Sequence, residues 1–420
     1  MRDHELRYVL NDELHGRPGL PVEAPARVTH LAFTIGEGDS DPLANVRQLC
    51  DALGVKPPVE GAAHHSADIK GGQFKYERHG EFYRIGVVAE GGGTGEAIAL
   101  LPLGWVDTLP GKRLVAIHTH ILGASDPTPD VPALIKLFGH EDIAGSRVSS
   151  GQATVWTDFR IGPDGYTRIL IQDHGLAPLR LGRVVRRMHE IETYRMMALM
   201  ALPMARQIQG ELVVLERAVS KVTADMLSSR ESNQDAELLG QLSGIARDVE
   251  EISSRSSYRF AASRAYAALV DKRLEELGEE KVSSFQRIGV FLDRRFGPAM
   301  ATCRAVSDRI SNLAQRSERA SNLLRTRVDI ALEGQNQKLL ASVDKRGRQQ
   351  LRLQQTVEGL SVVAISYYMI GIVTKLLEGL GAYMPALNTK LLGLVSIPIV
   401  VIAVWMGVRR LRHSILEDGE

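Results

Sequence analysis

The sequence predicts an α+β domain, then long helices ending in a coiled-coil stalk, then a carboxyl-terminal two-helix transmembrane hairpin. Three observations lead there. Residues 1–178 are rich in Gly, Pro and His and hold short β-like runs. Residues 179–355 lose most of the Gly and Pro and become charged and helix-forming. Residues 356–412 hold two charge-free apolar runs, and 413–420 form a short polar tail. A chain of 420 residues exceeds one ordinary domain, and 44% apolar with 24% charged residues is the composition of a folded protein.

Within the first part, the runs 28–33, 73–78, 82–88, 113–119, 153–159 and 166–172 have the β-branched and aromatic content of strands. Pro42–Leu53 and Val131–Phe138 read as helices between them. Ile161-Gly162-Pro163-Asp164-Gly165 is a hairpin turn, with Gly165 free to take positive φ, so part of the sheet is antiparallel. Long helices follow at about 179–228, 235–278 and 283 onward, broken near 228–233 and 279–283. The Met-rich stretch 196–205 contains Pro203 and is too short to span a bilayer, which makes it helix core.

The carboxyl end departs from the average. About 14 residues from Leu360 and about 18 from Leu391 run without a charge, against the roughly 20 that a hydrocarbon core of about 30 Å requires. A Gly- and Pro-bearing turn joins them, and Trp405 lies near an Arg-rich flank, as at a membrane interface. Arg409, Arg410 and Arg412 follow the second run, and Lys345, Arg346, Arg348 and Arg352 precede the first. Basic flanks stay inside. The bulk of the chain and both termini are therefore expected in the cytoplasm, with the hairpin in a bacterial inner membrane.

The stalk carries a repeat. Leu339, Val343, Arg346, Gln350, Leu353, Val357 and Leu360 alternate spacings of four and three, a heptad seam that calls for partner helices and so for a homo-oligomer. The same count continues into the first apolar run as Ala364, Tyr367, Gly371, Thr374 and Glu378. Polar groups at membrane depth face protein or water. The stripe is thus either a packed seam or the lining of a pore, with Tyr367, Gly371, Thr374 and Glu378 as the pore-lining candidates. Lys375 lies one residue off the stripe and must snorkel outward or pair with an acid.

Charge excludes one class of function. With 51 Lys and Arg against 50 Asp and Glu, the net charge of +1 gives no field for nucleic acid. Cys50 and Cys303 are far apart and signal neither a disulfide framework nor a zinc site. The amino terminus has no apolar h-region, so no cleavable signal peptide is expected. His118 and His120 share one strand face, where two imidazoles can ligate a metal ion, though spacing identifies no third ligand. Glu90-Gly91-Gly92-Gly93-Thr94-Gly95 lacks the Gly-Lys-Ser/Thr ending of a phosphate loop and reads as a hairpin loop. Arg180, Arg183, Arg186 and Arg187 make a basic helix face, either solvated or turned to acidic lipid or a partner. No set of acid, base and nucleophile assembles, so the chain is not read as an enzyme, and no particular cofactor is indicated.

Two resemblances add to this. Asn11-Asp12-Glu13-Leu14-His15-Gly16-Arg17-Pro18, Val155-Trp156-Thr157-Asp158-Phe159, Glu190-Ile191-Glu192-Thr193-Tyr194-Arg195-Met196-Met197-Ala198-Leu199 and Leu353-Gln354-Gln355-Thr356-Val357-Glu358-Gly359-Leu360-Ser361 resemble a bacterial family of membrane-anchored proteins of unknown function. That resemblance covers essentially the whole chain and implies the anchor but no activity. The order of α/β domain, stalk helix, two spans and basic tail is similar to the CorA class of magnesium channels, which are homopentamers lined by the first span. Tyr383-Met384-Pro385 resembles the residues after the CorA signature. Where that class has Gly-Met-Asn, this chain has Gly379-Leu380-Gly381, so the Asn amide that meets a hydrated cation is missing and Glu378 would supply an acidic ring. Together these imply an oligomeric inner-membrane protein of CorA-like build, an ion channel or transporter gated by its cytoplasmic domain. The alternative is a non-conducting membrane-anchored scaffold or sensor whose cytoplasmic domain binds a partner or small ligand.

Overall fold

The computed structural model describes residues 3–8, 11, 19–36, 38–228, 232–282, 284–383 and 389–417, and of these gives no side-chain account for 232–233, 381–383, 389 and 411–417. The chain divides into two compact units, Met1–Ser229 with Glu237–Asn322, and Arg230–Ala236 with Leu323–Glu420.

The first unit is built on strands β1 (Ala26–Thr34), β2 (His64–Ile69), β3 (Gly72–Arg78), β4 (Phe82–Glu90), β5 (Lys112–Leu122), β6 (Ala144–Val148), β7 (Ala153–Ile161), β8 (Thr167–Asp173) and β9 (Glu280–Lys281). They form one sheet in the order β2-β3-β4-β1-β5-β8-β7-β6-β9. Neighbours are antiparallel except β5 and β8, which run parallel. The expected hairpin joins β7 to β8, with Gly165 at φ 82°. Helices α1 (Pro42–Leu53) and α2 (Val131–Phe138) keep the bounds read from sequence because each is punctuated at both ends. Asp41 and Asp130 cap the first turns, Pro follows within them, and Gly54 and Gly139 close the last turns in the left-handed region.

Three strands were not legible as runs. His64–Ile69 is polar and sits at the sheet edge, Ala144–Val148 has only five residues with Gly and Ser, and Glu280–Lys281 exists only by pairing with β6. The expected helix over 179–228 is two helices, α3 (Pro178–Leu199) and α4 (Ala201–Ser228), with Met200 between them. Pro203 thus falls in the first turn of α4, where its missing N–H leaves no hydrogen bond unmade. Met197, Ala198, Ala201 and Ala205 are buried, as expected of a core stretch. Helix α5 (Ser232–Leu277) follows, then the long α6 (Ile288–Tyr383) and α7 (Thr389–Glu417).

Alternation along the strands sorts side chains onto two faces. On one, Leu31, Phe33, Phe74, Tyr76, Ile85 and Val87 pack with Val46, Leu49 and Cys50 of α1 and with Trp105. The other face of β1, β3 and β4 meets α3, where His30 hydrogen-bonds Thr193 and Arg84 pairs with Glu190.

In the second unit, α6 and α7 each contain a stretch long and apolar enough to cross a membrane. Only 6% of each stretch is buried, which distinguishes both from core helices of a soluble domain. Ahead of the first stretch, every residue from 335 to 357 is exposed.

Candidate functional site

Local sequence dictates the site. On β3, Phe74 and Tyr76 alternate with Lys75 and Glu77, so the rings enter the α1-side core and the charges turn toward α3. Register sets Arg84 of β4 opposite Glu77, an oppositely charged cross-strand pair. Helix α3 delivers Arg186, His189 and Glu190 one turn apart on its inner face. Gly182 lets the segment 19–22 cross the helix, since a Cβ there would lie 2.0 Å from the Leu20 carbonyl oxygen. The crossing is held by the Val22 amide, which donates to the Pro178 carbonyl at 3.1 Å.

These elements line a cavity of about 70 Å³ that opens to solvent. Leu20, Val22, Val28, Val88 and Val185 give it apolar walls, and Lys75, Glu77, Arg84 and Arg186 with His30 and His189 give it a polar end. The ions form one network. Lys75 Nζ lies 2.9 Å from Glu77, and Arg84 binds Glu77 directly and Glu190 at 3.4 Å. Glu190 also accepts from Arg186 Nε at 2.7 Å and from Arg273 of α5, which is bound in turn to Glu276.

Burial pushes the Glu77 carboxyl up, but Arg84 and Lys75 beside it prevail and hold it at about 2. Glu190 is likewise lowered, with Arg84, Arg186 and Arg273 outweighing burial. Burial draws the Lys75 ammonium down. The two imidazoles stack with centroids 4.7 Å apart, His30 bonding Thr193 at 3.1 Å and His189 bonding Thr119 at 2.8 Å. Burial, then the neighbouring His189 and Arg84, keeps His30 well below its ordinary value. Burial, then Arg84, brings His189 down to about 3. Both rings are neutral at physiological pH, so among the described residues the cavity presents fixed cations, one lining carboxylate and two neutral hydrogen-bonding rings.

A second, more open cavity of about 540 Å³ is lined by His120, while His118, the other histidine of the pair singled out from sequence, is buried and does not line it. His118 and His120 do share a face of β5, and the structure adds Glu96 between them. Glu96 lies 3.4 Å from His118 Nδ1 and 3.1 Å from His120 Nε2, and Thr29 Oγ1 is 3.0 Å from the same His118 nitrogen. Tyr166 stacks on His118. Among the described residues no group of three or more His, Cys, Asp or Glu is set to hold a metal ion. The cluster is a hydrogen-bonded carboxylate and imidazole set. The glycine loop forms part of this cavity and runs into a 3₁₀ turn, Ala97–Leu100, rather than an α-helix, with Arg27 donating to the Gly95 carbonyl. It joins no paired strands, since β4 pairs with β1 and β3. On the basic face of α3, Arg180 bonds Gln152, Arg186 pairs with Glu190 and Arg187 with Glu276, while Arg183 is exposed and makes no such pairing among the described residues.

In the first apolar stretch, Tyr367, Gly371 and Glu378 are exposed and Thr374 is half-buried, its hydroxyl donating to the Ile370 carbonyl at 2.6 Å. The buried residue is Ser366, and at about 100° per residue the stripe from Leu360 to Glu378 lies roughly 80° to 160° around the helix from it. Gly379 is helical and exposed, Gly381 and Tyr383 end α6, and Met384 and Pro385 lie outside the described residues.

Sequence reading missed Lys75, Glu77, Arg84 and Glu190. The signal was present in Phe-Lys-Tyr-Glu-Arg, where charges alternate with aromatics on a strand between neighbours on both sides. Here α3 covers the face on which those charges lie, so they are buried and paired.

The chain belongs to the family described as Protein of unknown function (DUF3422), whose match spans residues 2–415. No curated protein and no solved structure matches it.

Proposed function

We propose that the chain is a membrane-anchored sensor that self-associates along its stalk, with the cavity between the sheet and α3 as its ligand site. The observation that carries this is the conjunction on α6 of an entirely exposed run, 335–357, with an apolar stretch able to cross a bilayer. A bare helix of about 35 Å, at 1.5 Å per residue, is marginal in water unless its apolar seam is covered. Leu339, Val343, Leu353 and Val357 are all more than half exposed and recur at heptad positions, a self-complementary seam for a second copy. The hairpin sits in a bacterial inner membrane, with the basic flanks at both its ends on the cytoplasmic side.

Cross-linking of the full chain in native membranes tests this. Disulfide formation between Val343→Cys residues of two copies, abolished by Leu353→Glu with Val357→Glu, supports a seam. No cross-link at any seam position would overturn it. A second reading, an ion channel of CorA-like build gated by the body, is favoured by the exposure of Tyr367, Gly371 and Glu378 on one side of the first stretch. Cation flux in reconstituted vesicles, lowered by Glu378→Gln, separates it from the non-conducting sensor.

A further inference from the structure

The second cavity lies on the face of the sheet opposite α3. Arg27 of β1 stands across from His120 of β5 in the ladder, on the same face as Leu31 of the α1-side core. One rim is the glycine loop and the other is the turn that carries Asp126. The two rims face each other across a single ring. A Cβ on Gly92 would lie 3.7 Å from Pro25 Cβ, and one on Gly123 would lie 3.7 Å from Pro25 Cδ.

Particular atoms at these rims have no partner among the described residues. Arg27 Nη1 donates to the Gly95 carbonyl, but Nε is buried without a hydrogen bond, Nη2 makes none, and no carboxylate pairs with the guanidinium. Gly93 lets the loop lie against it, since a Cβ there would crowd Nη2 at 3.2 Å. None of the backbone amides from Gly91 to Glu96 donates to an acceptor among the described residues. A half-buried guanidinium calls for a counter-charge, and with the amides beside it the first rim suits a carboxylate. On the second rim, Asp126 Oδ2 accepts from the Gly123 amide at 2.7 Å while Oδ1 has no partner, which leaves an acceptor for an ammonium. Glu96, the other acid of the lining, is already engaged by His120 at 3.1 Å. One arginine beside two carboxylates repels a dianion such as a phosphate monoester, whereas a molecule with one charge of each sign meets both rims.

We infer that this cavity binds an α-amino acid with an aliphatic side chain. The carboxylate meets Arg27 and the loop amides, the ammonium meets Asp126, and the side chain lies on Ile121, Leu122 and Pro127. Among the described residues no ring but His120 lines the cavity, so nothing there selects an aromatic side chain, and about 540 Å³ suits a small molecule. The site goes beyond the sensor reading, lies across the sheet from the cavity assigned there, and does not depend on it.

Calorimetry on the full-length protein in lipid nanodiscs, with empty nanodiscs as the blank, tests this with L-leucine. Isocaproate is leucine without its amine, and isopentylamine is leucine without its carboxylate. Saturable binding of leucine, one per chain and about tenfold or more tighter than either fragment, is the expected result. Arg27→Gln should weaken leucine about tenfold or more and cut its advantage over isopentylamine, and Asp126→Asn should cut its advantage over isocaproate. A misfolded variant would lose leucine and both fragments together, so these selective losses report the contacts, and the comparison within the parent chain stands where a variant does not fold. Absence of saturable leucine binding would overturn the inference. So would either fragment or inorganic phosphate binding as tightly as leucine, or leucine affinity unchanged in both variants.

Discussion

Acid should weaken the first unit before its carboxylates titrate. In the unfolded chain His30 and His189 protonate near pH 6.5. In the fold, His189 accepts a proton only at about pH 3, and His30 is also held well below its ordinary value, both chiefly by burial. A histidine depressed in the fold leaves the unfolded state binding the proton first, so stability is complete above about pH 6.5 and falls as pH drops toward the folded value. Each unit costs about 1.4 kcal/mol per group, so His189 alone removes about 2 kcal/mol between pH 6.5 and 5, and His30 adds in the same direction. Against a typical total of about 5–15 kcal/mol that is a measurable share. Glu77, held at about 2, contributes stability that is present above its unfolded value near 4.3 and declines only below it. The loss from pH 6.5 to 5 therefore reports buried imidazoles, to which His65 and His118, also lowered by burial, add in the same direction, and the His189 variant isolates the share of the pair. Urea unfolding of the full chain in micelles, followed by Trp105 and Trp156 fluorescence in a Trp405→Phe background, should show the midpoint falling steadily across that window. His189→Gln should make the fall shallower. A midpoint level from pH 7 to 5 in parent and variant alike would refute the neutral burial of the pair.

Glu190→Gln removes the carboxylate shared by Arg84, Arg186 and Arg273 and should cost about 3–5 kcal/mol in the same unfolding assay, because three cations are then left around a neutral amide. Gly182→Ala drives a Cβ into the Leu20 carbonyl and should cost about 1–3 kcal/mol, with faster proteolysis at segment 19–22 as the local readout. Truncation after Gln355 should release a soluble body with weakened self-association, seen by analytical ultracentrifugation. A truncated chain that still pellets with membranes would assign lipid binding to Arg183 and its neighbours on α3. In vesicles, a pore predicts that Thr374→Ala and Glu378→Gln alter flux while Tyr368→Ala and Leu377→Ala do not, and equal effects from both sets would argue against it.

Legibility in the sequence followed punctuation. Helices α1 and α2 were readable to the residue because Asp, Pro and Gly mark their ends, and the β7–β8 turn was readable because Gly165 needs positive φ. Strands β2, β6 and β9 carry no comparable local signal and exist through their neighbours. Phe159 is a sharper case, since it takes φ 54° at a register shift in β7, under the guanidinium of Arg195. Nothing in Thr-Asp-Phe-Arg announces a left-handed phenylalanine, because the conformation is imposed by pairing and packing. At the second cavity, the two histidines were legible from strand period, but Glu96 was not, because it arrives from a loop 22 residues earlier in the chain than His118.

The buried ions call for an explanation other than stability. A well-paired internal network is on balance no more stabilising than apolar side chains filling the same space, because desolvation offsets most of the Coulombic gain. The neighbouring core makes that comparison concrete. On the opposite face of the same strands, Phe74, Tyr76, Ile85 and Val87 hold α1 with apolar contacts, so β3 and β4 can support an apolar face. Toward α3 they instead present Lys75, Glu77 and Arg84, and α3 meets them with Arg186, His189 and Glu190 around open space. Packing energy would favour closing that space with valine and leucine. Packing alone accounts neither for that open space nor for the charges that face it.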